Sequence, residues 1–72
     1  MKVNEIKDMI KFLFESKTTI HVDTLDNTFH NGLILECHET FIVIHDRIWG
    51  ETPIPISEIK TIAKFRDKKV RE

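Results

Sequence analysis

Apolar positions change their spacing once along this 72-residue chain, close to residue 17. Before that point they recur every three or four residues: Ile6, Met9, Ile10, Leu13 and Phe14, with Val3 nearby. That is the period of one buried helix face, and it predicts a helix over 4–16, NEIKDMIKFLFES. Asn4 is the expected N-cap, and Glu5 and Asp8 stand where the positive end of a helix favours carboxylates. Phe12 falls off the apolar face, which leaves it to solvent or to a partner subunit.

After Thr18 the texture becomes short and β-rich. TTIHVDTL (18–25) alternates, with Ile20 and Val22 on one face and His21 and Asp23 on the other. Asp26-Asn27 is a turn pair, because asparagine tolerates the positive φ of a tight hairpin. TFHNGLILE (28–36) follows, interrupted by Gly32 where a strand bends or another backbone comes close. CHET (37–40) is a polar break, and FIVIHD (41–46) is a strongly β-branched strand. A turn at Gly50 leads to TPIPI (52–56), SEI (57–59) reads as one helical turn, and KTIAKF (60–65) is a last strand. One helix and five short strands in so few residues predict a mainly β fold. A small, strongly bent barrel suits them better than a flat sheet. The expected organisation is one domain over 1–65 and a basic, frayed tail over 66–72.

Pro53 and Pro55 are the anomaly in this pattern. Proline has no backbone N–H, and sheets tolerate it at edges. Residues two apart aim their backbone groups at the same edge, so the two prolines strip donors from one edge of TPIPI only. The other edge keeps the N–H groups of Ile54 and Ile56. Sequence leaves open which edge faces the rest of the sheet.

A chain this short has a thin stability margin, for which oligomerisation is a common remedy. Cys37 is the sole cysteine, so an internal disulfide and a zinc site built on paired cysteines are both excluded. No stretch reaches the roughly 20 apolar residues of a membrane span, and the N-terminus lacks a signal peptide's apolar core. The expectation is a soluble, cytoplasmic protein with no membrane role. Net charge is −1, yet five basic and two acidic residues fall in 64–72, a local excess of three, leaving −4 for the remainder.

Catalytic chemistry finds little support. His21, His30, His38 and His45 form no close helical pair and no set with cysteines or acids, so no metal is assigned. His21 and His45 sit at strand positions that alternate in polarity, and the histidines read as surface or half-buried residues. Cys37 is adjacent to His38, but strand neighbours point to opposite faces, so the thiol reads as packed or inert. No nucleophile elbow, phosphate loop or dinucleotide glycine run is present. The chain is not expected to be an enzyme, and no cofactor is implied. Trp49, in a turn before Gly50, is expected to cap the open end of the barrel, or else to serve as a stacking platform or interface anchor.

The run LDNTFHNGLILECHETFIVIHD (25–46), with its turn, Gly32, Ile34, short polar loop and apolar strand, resembles the Sm-like (LSm/Hfq-like) small-barrel family. IPISEIKTI (54–62) is similar to that family's second segment, in which strand four passes through one tight turn to strand five. The resemblance spans about Asn4 to Phe65 and implies a five-stranded Sm-like (SH3-like) barrel behind an N-terminal helix. It also implies RNA binding by a homo-oligomeric ring, closed by strand four of one subunit on strand five of the next. The RNA contacts it suggests are His38 and Thr40 in the first loop, Ser57 in the second, Trp49, and the cations Lys64, Arg66, Lys68 and Lys69. The oligomer interface it suggests includes Phe12, Ile54, Ile56, Ile62 and Ala63. Two departures stand out: His38 occupies the place of the family's loop aspartate, and Ile56-Ser57-Glu58 brings an acid where the family has a cation. The functional expectation is therefore an RNA-binding or RNA-chaperone subunit. The alternative is a protein-interaction or architectural module on the same barrel without RNA.

Overall fold

The computed structural model describes residues 1–66, so Lys68, Lys69 and the rest of the proposed tail beyond Arg66 lie outside the described residues. The chain forms a helix α1 (Val3–Glu15) and strands β1 (Ile20–Thr24), β2 (Phe29–Cys37), β3 (Phe41–Asp46), β4 (Gly50–Pro55) and β5 (Ile59–Lys64). A 3-10 turn, Ile56–Glu58, joins β4 to β5. Element order and type follow the apolar periodicity, and β3 has the bounds that its β-branched run predicts.

The helix begins earlier than expected. Its N-cap is Lys2, with Asn4 inside the first turn, because the Glu5 carboxylate reaches back to accept the Lys2 N–H at 3.0 Å. The buried face is Ile6, Ile10 and Leu13, with Met9 partly covered. Val3 and Phe14 remain more open than their spacing suggests, at 52% and 37% exposure. Phe12 is 64% exposed.

The sheet is antiparallel throughout, in the order β4-β3-β2-β1-β5. It bends rather than lying flat. Gly32 permits close approach in β2, since a Cβ there would lie 1.9 Å from the His45 carbonyl oxygen. A bulge between Ile34 and Glu36 bends the same strand further. Ile20, Val22, Ile34, Ile42, Ile44, Ile54, Ile56, Ile59 and Ile62 line the concave side and close the core against α1. The expected barrel is not closed by hydrogen bonds, because β4 and β5 are the two ends of the sheet order. The 3-10 turn joins the two in sequence, and α1 packs against that turn, β2 and β5.

Two turns are held by carboxylates. Asn27 takes the positive φ expected of the first hairpin (67°), and Asp26 accepts from the Thr24 hydroxyl and the Thr28 N–H. Those bonds, the Thr24 hydroxyl foremost, hold the Asp26 carboxyl below the usual range. In the β3–β4 turn, Asp46 is 4% exposed and accepts the N–H groups of Ile48 at 2.7 Å and Trp49 at 2.9 Å. Its other oxygen accepts from His30 Nδ1 at 2.9 Å. Burial works to raise the Asp46 pKa, but the two N–H donors and His30 outweigh it and hold the group ionised below the usual range. Gly50 closes this turn at φ +78°, where a side chain would be strained.

Candidate nucleic-acid interface

Two surfaces could receive a polynucleotide, and the residues singled out in the sequence divide between them. The first is the rim where the β2–β3 turn meets the 3-10 turn. The Ile56 N–H donates to the Thr40 carbonyl at 2.9 Å, which brings His38, Thr40, Ser57 and Glu58 to one end of the fold. His38 stacks on Phe41 with ring centroids 4.4 Å apart, and its Nε2 donates to Glu36 at 2.7 Å. A cleft of about 290 Å³ opens beside them, lined by Lys7, Ile10, Cys37, His38, Glu39 and Ile56. Cys37 is exposed in this cleft rather than packed, although it still pairs with Ile42 of β3.

Charge argues against phosphate at this rim. Among the described residues, Glu36, Glu39 and Glu58 stand there exposed, with Lys7 as the cation lining the cleft. A phosphate would meet like charge before it met a partner.

The second surface lies on the outer, convex face of the sheet, away from α1. Phe65 stands between two open clefts that share it. One, about 480 Å³, is lined by Thr19, Gly32, Leu33, His45, Arg47 and Phe65. The other, about 430 Å³, is lined by His21, Asn31, Ala63, Lys64, Phe65 and Arg66. The Arg47 guanidinium carbon lies 5.6 Å from the centroid of the Phe65 ring, a cation over an aromatic face. His21 is fixed between Asn31 Oδ1 at 2.6 Å and Asp23 Oδ1 at 3.0 Å, with the Phe29 ring 5.7 Å away. Aromatic faces interleaved with guanidinium and ammonium groups suit single-stranded nucleic acid, whose bases stack while its phosphates take the cations.

The structure thus places Lys64 and Arg66 together on the outer face and separates them from His38, Thr40 and Ser57 on the rim. Trp49 does not cap the barrel. It is 72% exposed and Ile48 beside it 81%, because the Asp46 bonds hold the turn with both side chains outward. Sequence reading passed over Arg47, Phe65, His21 and Asn31 as contacts. The signal that could have found them is the run Lys64-Phe65-Arg66, an aromatic flanked by cations. Of the interface calls, Phe12 and Ala63 are exposed, whereas the side chains of Ile54, Ile56 and Ile62 belong to the core at 3%, 6% and 1% exposure. Strand alternation turns those three inward, so only backbone is left for a partner. Among the described residues no three of His, Cys, Asp and Glu gather as metal ligands, and no helix is long and apolar enough to cross a membrane.

No protein-family model matches the chain, and no curated protein matches its sequence. Its fold does match solved structures. A 1.55 Å crystal structure of the pleiotropic translational regulator Hfq superposes with a TM-score of 0.70 at 14% identity, over 86% of this chain and 98% of that one. An Hfq protein from Anabaena sp. superposes with a TM-score of 0.68 at 17% identity, over 89% of this chain and 100% of that one. The fold is Sm-like: an N-terminal helix ahead of a bent five-stranded antiparallel sheet.

Proposed function

We propose that this chain is a non-catalytic Sm-like RNA-binding subunit of a cytoplasmic homo-oligomer, taking single-stranded RNA on the outer face of its sheet. The observation that carries this reading is the Arg47–Phe65 pair, with Lys64 and Arg66 beside it on a fold of this kind. Bases stack on Phe65, and the three cations meet the backbone phosphates. The rim, where the resemblance would put the RNA, is the poorer site because of its acids.

Fluorescence anisotropy with a labelled single-stranded RNA tests this. Binding should weaken steeply with salt, and Phe65→Ala should reduce affinity about 5- to 100-fold, the range for one lost stacking contact. Equal affinity in the variant, or no binding even in low salt, would sink it.

One feature favours a second reading. Ile48 and Trp49 form an exposed apolar pair on a turn pre-ordered by Asp46, the kind of anchor that protein interfaces use. Under this reading the purified protein shows a nucleic-acid-free absorbance spectrum, and Trp49→Ala abolishes capture of a protein partner while Phe65→Ala does not.

A further inference from the structure

His21 is held from both sides by oxygen. On the outer face it stands opposite Asn31 of β2 and Ala63 of β5. Its Nδ1 lies 2.6 Å from Asn31 Oδ1, and its Nε2 lies 3.0 Å from Asp23 Oδ1. Asp23 is kept in place by Thr61 of β5, whose hydroxyl donates to the other carboxylate oxygen at 3.0 Å. An amide oxygen and a carboxylate both accept, so both ring nitrogens must donate. Only the imidazolium has two N–H groups. This arrangement is therefore the protonated one.

A neutral ring has one N–H and one lone pair. The Asp23 carboxylate has nothing to donate, so it keeps the N–H on Nε2 and leaves the lone pair on Nδ1. That lone pair repels Asn31 Oδ1, and Asn31 relieves the clash by turning its amide over. Its NH2 then donates to Nδ1, and the amide shows its other end to the cleft that it lines with Lys64, Phe65 and Arg66. One proton thus sets both the charge of the ring and the hydrogen-bonding sense of Asn31.

The surrounding charges divide by strand. Asp23 on β1 is in contact with the ring and favours the imidazolium, whereas Lys64 and Arg66 beyond β5 oppose it. The Phe29 ring of β2, 5.7 Å away, carries no charge. On β3, His45 and Arg47 line the adjoining cleft. His21 and Asp23 are 35% and 46% exposed, so solvent protons reach the pair. Histidine ordinarily changes charge between about pH 5 and 8.

We propose that His21 is a proton-controlled gate on the outer face, with Asn31 as the amide that turns with it. The effect on ligand rests on the RNA reading above; the switch itself does not. With the ring neutral, Asp23 is an uncompensated acid beside Lys64 and Arg66 and repels phosphate. Protonation cancels that charge. RNA is held better by the protonated form, so affinity rises as pH falls.

Fluorescence anisotropy with a labelled single-stranded RNA, at about pH 5.5 and about pH 8 and one ionic strength, tests the consequence. The parent chain should bind about 2- to 5-fold tighter at the lower pH, the size of one partly exposed charge contact. His21→Gln should lose that difference, while His45→Gln, on the adjoining cleft, should keep it. Nitrogen-15 NMR of the free chain tests the switch with no RNA present. The His21 ring should pass from imidazolium to the Nε2–H tautomer as pH rises, and the Asn31 side-chain amide should shift with the same midpoint. Asn31→Asp, which can only accept, should move the ring's midpoint upward. An Nδ1–H tautomer, or an Asn31 amide that ignores the ring, would overturn the switch. Binding that ignores pH, or a difference that survives His21→Gln, would overturn the gate and leave the RNA site standing. No binding at either pH in low salt would end the RNA reading, and the gate with it.

Discussion

The rim and the outer face of this sheet are built from the same strands, yet they present opposite electrostatics. At the rim, Glu36, Glu39 and Glu58 surround a stacked His38–Phe41 pair, and Lys7 is the cation of the cleft. On the outer face, Arg47, Lys64 and Arg66 surround Phe65. Both have a flat ring on which a base could stack. Only one has cations placed for the phosphates that must come with it. The lesson is that a shared fold conserves the places where a ligand could sit, while local charge selects among them.

The sharpest way to break this comparison is to remove the floor of the outer face. Gly32→Ala puts a Cβ into the His45 carbonyl, a backbone atom that cannot swing away. It should cost about 4 kcal/mol or more, read as a collapsed melting temperature or insoluble protein. A variant of ordinary stability would show that β2 and β3 do not approach as described.

Next in size is the ring itself. The loss of affinity expected for Phe65→Ala should have no counterpart for His38→Ala at the rim, measured with the same RNA. The reverse order of effects would move the site to the rim.

Asp46→Ala tests how far the neighbouring turn supports Arg47. Removing the carboxylate strands the Ile48 and Trp49 N–H groups and the His30 partner, for about 1–3 kcal/mol of stability. The sign of the pH dependence follows from the depressed pKa of Asp46. The folded state binds that proton less readily than the unfolded chain. The stabilisation is therefore complete above the ordinary aspartate value of about 3.9 and is lost as pH falls through the lower folded value. Denaturant titrations from neutral pH to about pH 3 should show this loss in the parent chain and a smaller one in Asp46→Ala.

Smaller effects sharpen the contrast. Lys64→Gln and Arg66→Gln should each lower the slope of log affinity against log salt by about 0.7, the value for one phosphate contact to a single strand. Glu39→Gln and Glu58→Gln, at the rim, should change affinity by less than about twofold at moderate salt, since screening weakens charges so far from the groove. A large gain from either would mean the rim carries RNA after all.

The sequence by itself determined the local structure. A helical period over Ile6, Ile10 and Leu13, a period of two in the β runs, the Asp26-Asn27 and Gly50 turns and the close approach at Gly32 are written in residue types, because each answers to nearest-neighbour sterics and burial. The Sm-like fold was legible through the resemblance of residues 25–46 and 54–62 to that family. What the tertiary structure decided was which edge, and which side of the sheet, each residue faces. Pro53 and Pro55 strip donors from one edge in any strand, but only the register of β4 on β3 shows that it is the free one. Ile54, Ile56 and Ile62 were expected at an oligomer interface, and strand alternation sent their side chains to the core. Arg47 and Phe65 are 18 positions apart in the chain, and no local rule pairs them. Their meeting depends on how β3 and β5 cross the outer face, a relation set by the bend of the whole sheet. The proposed RNA site arises at that level, where residues distant in sequence come to share a surface.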